Sequence, residues 1–117
     1  MRDRILLRMA LVSSIGFFVL ASFFEIAGCF CFWFWLRNGR SPGYAALGMV
    51  SLGLFAFTLT KVGAAFAGRA FAAYGGIYIA ASLLWLRIVE GVQPDKWDLL
   101  GGVICVAGSL IIVLTKR

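Results

Sequence analysis

One acidic residue, Glu25, lies deep inside a long apolar segment of this 117-residue chain. It is the only charged residue between Arg8 and Arg37. At about 1.5 Å of rise per helical residue, it lies at least ~15 Å from either end. Burying an ionisable group in hydrocarbon is costly, so such a residue indicates a functional site. Because a proton and a cation compete for one buried carboxyl, Glu25 offers a chemical basis for proton/cation exchange.

The helical face around Glu25 consists mostly of small residues, among them Ser22 and Gly28. Residues three or four positions apart share a face of a helix, so other helices or a ligand can approach the carboxyl there. The alternative is a structural ion pair between Glu25 and Lys61 or Arg69. We favour the site, because both basic residues are predicted in a loop on the membrane side farther from Glu25.

An aromatic set lies further along the chain, where Phe71, Tyr74 and Tyr78 recur at helical spacing. Aromatic faces beside a carboxylate suit an organic cation. Plain helix packing explains the same periodicity equally well. The Gly75-Gly76 pair weakens the helix and lets backbones approach closely, which suits either tight packing or a hinge.

These residues must be positioned by membrane helices. The chain is 62% hydrophobic and 14% charged, so it lacks the polar residues that would cover a soluble domain. A helix needs about 20 apolar residues to cross a bilayer, so four spans with short loops use up the chain. We predict an all-α membrane protein with one four-helix domain over 1–117 and spans at about 9–36, 43–60, 69–88 and 97–114. No segment is left for a separate catalytic core, so no enzyme activity is expected.

The eleven Lys and Arg residues lie mainly at the ends of the apolar runs, where membrane proteins place interfacial anchors. They form no basic patch, which argues against nucleic-acid binding. With both termini in the cytoplasm, seven lie inside and four outside, and this small bias permits insertion in both directions. The chain has no His, and its three Cys lie in apolar segments as packing residues, so no metal or cofactor is expected.

The fourth span begins after Asp95, which with Asp98 resembles a helix N-cap. The span carries Gly101 and Gly108, seven residues apart on one face, and no buried charge. Small residues on one face of a membrane helix favour close helix association. We therefore expect an assembly helix, and because four spans are few for enclosing a pathway, a dimer is the natural way to complete one.

Several motifs strongly resemble the YnfA family of small bacterial membrane proteins. They are Phe24-Glu-Ile-Ala-Gly-Cys29, Trp33-Phe-Trp-Leu-Arg37, Gly39-Arg-Ser-Pro42, Gly68-Arg69, Ala72-Ala-Tyr-Gly-Gly-Ile-Tyr-Ile-Ala80 and Asp95-Lys-Trp-Asp-Leu-Leu-Gly101. The match covers about residues 17–117. That family is similar in turn to the small multidrug resistance (SMR) transporters of the drug/metabolite transporter superfamily. The resemblance implies a four-helix protomer in the bacterial inner membrane that works as an antiparallel homodimer. It further implies alternating access, driven by the proton gradient, and export of cationic, often aromatic compounds.

The resemblance also assigns roles to single residues. Glu25 matches the essential SMR glutamate that binds protons and substrate. Tyr74 stands where SMR proteins have a substrate-stacking Trp, and Phe71 where they have a Tyr. Ser51 falls near the second-span pocket position. Together with the neighbours of Glu25 and the aromatic set found from spacing, the candidate pocket residues are Ser22, Gly28, Ser51, Phe71, Tyr74 and Tyr78.

Two further points follow from the resemblance. Gly101 and Gly108 match the spaced glycines of the SMR dimerisation helix. The aromatic replacements remove a hydroxyl that would bond the glutamate, and Arg69 adds a positive charge near the path. These departures bear on polyaromatic drug specificity more than on transport itself.

Three functions are weighed on this basis. The leading hypothesis is proton-coupled efflux of small organic or aromatic cations through Glu25 of both protomers. The alternative is a non-transporting assembly subunit that packs on a partner through its Gly-rich faces. A third reading, the flipping of a lipid carrier, needs an anionic head-group site, for which Arg69 is the sole hint and against which Glu25 argues.

Overall fold

The computed structural model describes residues 2–63 and 66–115, and these residues form four α-helices with no strand among them. The helices are α1 (Arg2–Leu36), α2 (Gly43–Leu59), α3 (Ala67–Ile88) and α4 (Lys96–Leu114). The all-α class predicted from the composition is therefore confirmed.

Three helices are long and apolar enough to cross a membrane: α3, α4 and the Val12–Leu36 part of α1. The fourth, α2, is apolar but has 17 residues. At about 1.5 Å per residue it reaches about 26 Å, slightly less than the ~30 Å of a typical hydrocarbon core. The chain is a multi-pass membrane protein, while the count of four spans stays a prediction.

The chain divides into two compact units, Met1–Gly63 and Ala64–Arg117. Each unit is a pair of packed helices. In the first hairpin α1 packs on α2, and in the second hairpin α3 packs on α4. The single four-helix domain and the homodimer stay predictions.

The first hairpin begins earlier than the predicted span. Its helix α1 starts at Arg2 and so extends beyond the predicted span of residues 9–36, because the polar first turn continues the helix past its apolar part. Asp3 lies in that turn, where a negative charge complements the helix dipole. Past the end of α2, the Gly63 N–H donates to Ser14 Oγ at 3.0 Å and so ties the chain back to α1.

The end of α1 is closed by backbone bonds around a left-handed glycine. The Trp33 carbonyl accepts from the N–H groups of Arg37 and Asn38 at 2.8 and 3.3 Å. Gly39 follows with φ +66°, a conformation that glycine adopts without the steric cost of a Cβ. Arg40 N–H then donates to the Phe34 carbonyl at 3.1 Å.

The end of α3 repeats this arrangement. The Trp85 carbonyl accepts from Val89 and Glu90 at 2.8 and 3.2 Å, and Gly91 follows with φ +72°. Val92 N–H donates to the Leu86 carbonyl at 3.0 Å. In both hairpins the order is Trp, then Gly six residues later, then Pro three residues after that. The two hairpins therefore share one way of ending their first helix.

The start of α4 confirms the predicted cap. Asp95 Oδ1 accepts from the N–H groups of Trp97 and Asp98, both at 2.9 Å. In return, Asp98 Oδ2 accepts from the Asp95 N–H at 3.0 Å. This reciprocal capping box satisfies backbone donors that a helix start leaves without partners.

Candidate functional site

Glu25 lies near the middle of the apolar part of α1 and is half-buried. Its neighbours on the helix are among the most buried residues of the chain. Ser22, one turn before it, is 1% exposed, and Gly28, one turn after it, is also buried. The carboxyl therefore arises from the packed face of α1, at a depth where the sequence supplies no other charge.

One turn from Glu25, the backbones of α1 and α2 touch. A Cβ placed on Gly28 would lie 3.0 Å from the Gly48 carbonyl oxygen and 2.8 Å from Leu52 Cγ. A Cβ placed on Gly48 would lie 2.9 Å from the Gly28 carbonyl oxygen. Real Cβ atoms do not approach backbone so closely, so a side chain at either position would push the helices apart.

A hydroxyl of α2 holds the turn that carries Glu25. Ser51 Oγ donates to the Phe24 carbonyl at 2.6 Å, and Phe24 immediately precedes Glu25. Ser22 Oγ donates in the same way to the Val19 carbonyl of its own helix at 2.7 Å. A hydroxyl has a single proton to donate. The half-buried Ser51 can therefore still accept a hydrogen bond, whereas Ser22 is closed off by the packing around it.

The aromatic candidates of α3 separate into two groups. Tyr74 is 6% exposed, and its ring centroid lies 6.0 Å from that of the half-buried Tyr78, with the planes tilted by 57°. Phe71 is 57% exposed. The second hairpin thus brings the two tyrosines together and leaves Phe71 on its surface.

Ser109 of α4 reaches into the backbone of α3. Its Oγ accepts from the Gly76 N–H at 2.7 Å and donates to the Ala72 carbonyl at 3.4 Å. In a regular α-helix the N–H of residue 76 bonds the carbonyl of residue 72. The Ser109 hydroxyl therefore contacts both the donor and the acceptor of one backbone hydrogen bond of α3. A Cβ on Gly76 would overlap the Ser109 side chain.

The two basic residues weighed as ion-pair partners of Glu25 both lie beside aromatic rings. Lys61 Nζ is 4.7 Å from the ring centroid of Phe57, and Arg69 Cζ is 5.7 Å from that of Phe66. Both distances are within the range of a cation–π contact. Lys61 and Arg69 are exposed.

The α4 glycines differ in what surrounds them. A Cβ on Gly102 would lie 3.0 Å from Leu83 Cδ1, so Gly102 serves the packing of α4 on α3. Gly101 and Gly108 are exposed, and a Cβ on either would meet nothing within 4 Å. Their small size is therefore not needed inside the second hairpin.

Within the described residues, no group of three or more His, Cys, Asp or Glu side chains could hold a metal ion. The three cysteines are free, with Cys29 and Cys105 exposed and Cys31 half-buried.

Sequence reasoning missed the roles of Gly48 and Ser109. For Gly48 the signal is its spacing from Ser51, since three residues place both on one face of α2. For Ser109 the signal is a hydroxyl in an otherwise apolar helix, which must find a partner when buried. Neither signal names the partner, because that depends on the register between the two helices.

These features define a small, all-helical, multi-pass membrane protein with a single acidic residue in the apolar part of its first helix. Residues 11–117 match the profile of the family described as "Uncharacterised BCR, YnfA/UPF0060 family". The chain belongs to this family, which confirms the resemblance seen in its motifs. No solved structure matches the chain.

Proposed function

We propose that the protein exports small organic or aromatic cations across the bacterial inner membrane in exchange for protons. The observation that carries the proposal is the position of Glu25, half-buried near the middle of the apolar part of α1. An ionisable residue at such depth is costly and persists where it has a function. The motif similarity to SMR transporters, in which the matching glutamate binds protons and substrate, supports the same conclusion.

The coupling follows from exclusive occupancy of one carboxyl. A bound cation requires the carboxylate, and a bound proton removes the charge that attracts the cation. Each ligand therefore displaces the other, and the protein alternates between inward and outward access with one of them bound. A proton entering from the side of higher proton concentration releases the cation on that side, which gives efflux.

The contacts around Glu25 keep the carboxyl in place during this exchange. The Gly28–Gly48 crossing and the Ser51–Phe24 hydrogen bond join α1 to α2 on both sides of Glu25. The first hairpin then moves as one body, and the carboxyl moves with it. Tyr74 and Tyr78 would supply aromatic faces to the cation.

An antiparallel homodimer would complete the pathway, because four helices are too few to enclose the carboxyl. Gly101 and Gly108 support this proposal, since their open surroundings leave room for a close approach by a second helix. The near-balanced distribution of basic residues between the two sides fits a chain that inserts in both orientations.

Solid-supported-membrane electrophysiology on the purified, reconstituted protein tests the proposal. Tetraphenylphosphonium and tetrapropylammonium serve as an aromatic and an aliphatic probe cation. We expect transient currents with at least one probe and their loss in Glu25→Gln. Glu90→Gln is the matched control, because Glu90 is an exposed acid in the link between α3 and α4. No current with either cation, or an unchanged current in Glu25→Gln, contradicts the proposal.

One observation favours the alternative function, a non-transporting assembly subunit. Helix α4 is the least buried of the three helices long enough to cross a membrane, with 6% of its most apolar stretch buried inside the described chain. That surface could bind a different protein rather than a second copy. In that case Glu25→Gln would weaken the complex or the fold without changing a flux, and a partner would co-purify in fixed ratio.

A further inference from the structure

A groove between α3 and α4 lies outside the transport site proposed above. It has a volume of about 610 Å³ and belongs entirely to the second hairpin. Its walls are almost wholly apolar and include the exposed residues Leu84, Val103 and Leu110. Its polar end carries Arg87 and Gln93, where α3 ends and the link to α4 begins.

The length of the groove matches one leaflet of a bilayer. Along α4 it is lined from Leu99 to Leu110, which is about 16 Å of helix. Half of a hydrocarbon core is about 15 Å. Trp97, exposed beside the polar end, is the residue type that marks the membrane–water interface. The groove therefore extends from the head-group level towards the middle of the membrane.

The α4 wall of the groove carries no polar side chain. It consists of Leu, Gly, Val and Ala residues from Leu99 to Leu110. A hydrocarbon chain can enter, because its apolar surface matches the Leu and Val walls.

The charge at the polar end selects the head group. Among the residues that the structure describes, Arg87 is the only charged one that lines the groove, and it is exposed in the last turn of α3. The nearby acids Asp95 and Asp98 are engaged in the cap of α4, and Glu90 lies in the link. A guanidinium donates its N–H groups in a planar fork that fits phosphate oxygens.

We propose that the groove binds an anionic membrane phospholipid, with an acyl chain along α4 and the phosphate at Arg87. This proposal does not depend on the transport function. It concerns the second hairpin alone, and a protein that transports nothing would bind the lipid equally well.

Native mass spectrometry of the full-length protein in detergent tests the proposal. Phosphatidylglycerol and phosphatidylethanolamine with identical acyl chains are added at equal concentration. We expect phosphatidylglycerol to be retained about fivefold more, because one Arg near an anionic surface favours binding by roughly that factor. Arg87→Gln should abolish this preference, and Arg87→Lys should retain part of it.

Arg37→Gln is the matched control, since Arg37 follows α1 at the corresponding end of the first hairpin and stacks on Trp33. It should leave the lipid preference unchanged. A wild-type protein that retains both lipids equally, or an Arg87→Gln variant that keeps the preference, overturns the proposal.

A groove-filling variant distinguishes the lipid from a second copy. Ala107 lines the groove and is exposed, so Ala107→Phe should reduce retention of both lipids several-fold and leave the oligomeric state unchanged. Loss of a dimer with unchanged lipid retention would assign the groove to a second copy and overturn the proposal. Circular dichroism checks that each variant keeps its helices, and the exposed Arg87 variants test the site without altering its packing.

Discussion

The two hairpins end their first helix in the same way but use their interiors differently. Both place a Trp carbonyl, a left-handed glycine and a proline at equal spacing. The first hairpin then positions a carboxyl beside a crossing of two glycine backbones. In the second hairpin, α3 has no acidic residue and the one acid of α4, Asp98, belongs to the capping box. Ser109 of α4 bonds the backbone of α3 instead. The comparison shows that the same turn residues end the first helix of both hairpins, while a few interior residues give each hairpin its own polar contacts.

The serines show the difference most clearly. Ser51 makes one bond, as a donor to the carbonyl before Glu25. Ser109 makes two, as an acceptor from Gly76 and a donor to Ala72. The first bond holds the turn of α1 that precedes Glu25 against α2. The second pair of bonds joins α4 to the Gly76 N–H and the Ala72 carbonyl of α3.

The largest difference in stability is expected between alanine variants of two adjacent glycines of α3. Gly76→Ala places a Cβ against Ser109, and overpacking of this kind costs about 1–3 kcal/mol. Gly75→Ala is the control, because its Cβ meets nothing within 4 Å and alanine favours the helix. Thermal unfolding in detergent, followed by circular dichroism, measures both. Equal stability of the two variants would show that Ser109 does not occupy the described position.

The same comparison applies to the first hairpin, where Gly48→Ala should be destabilising and Gly53→Ala should not. Only the Cβ at position 48 meets α1, and that at position 53 meets nothing within 4 Å. Because the crossing is one turn from Glu25, we also expect Gly48→Ala to reduce cation currents at equal protein amount. Normal currents in a well-folded Gly48→Ala variant would show that the crossing is not needed by the proposed transport site.

A smaller effect tests whether the two turns are equivalent. Gly39→Ala and Gly91→Ala each force an alanine into the left-handed region, which costs about 1–2 kcal/mol. We expect similar losses in thermal stability from both variants. A loss confined to one of them would show that the turns match in geometry but not in energetic importance.

The smallest effect compares the two serine contacts. Hydrogen bonds between membrane helices contribute about 0.6 kcal/mol on average, so Ser51→Ala should be mildly destabilising. Ser109→Ala should cost more, because it removes two bonds and leaves the Gly76 N–H without its described acceptor. The exposed Ser13→Ala is the control. Chemical denaturation measures the free energy of unfolding of all three variants. A larger loss of stability from Ser51→Ala than from Ser109→Ala would contradict the expected order.

Much of the fold follows from local sequence. Composition and apolar run lengths predicted the helices, and the Asp95–Asp98 spacing predicted the cap of α4. The position of Glu25 within its apolar run also follows directly, because depth along a single helix depends only on residue count.

The remaining features depend on how two helices are aligned. Gly28 pairs with Gly48, and Ser109 pairs with Gly76. Predicting these pairs requires the register between two helices, and the periodicity of each helix does not give that register. Phe71 shows a related limit. Spacing groups it with Tyr74 and Tyr78, yet it is exposed while Tyr74 is buried, because spacing defines a face but not which part of it is covered.

Proton release on cation binding tests most directly whether a proton and a cation compete for Glu25. The purified protein in weakly buffered detergent solution is titrated with tetraphenylphosphonium at a series of pH values from mildly acidic to mildly alkaline. We predict that binding releases protons, that cation affinity rises with pH, and that Glu25→Gln shows neither effect while Glu90→Gln shows both. Cation binding without proton release at every pH, or equal release in Glu25→Gln, would contradict the account.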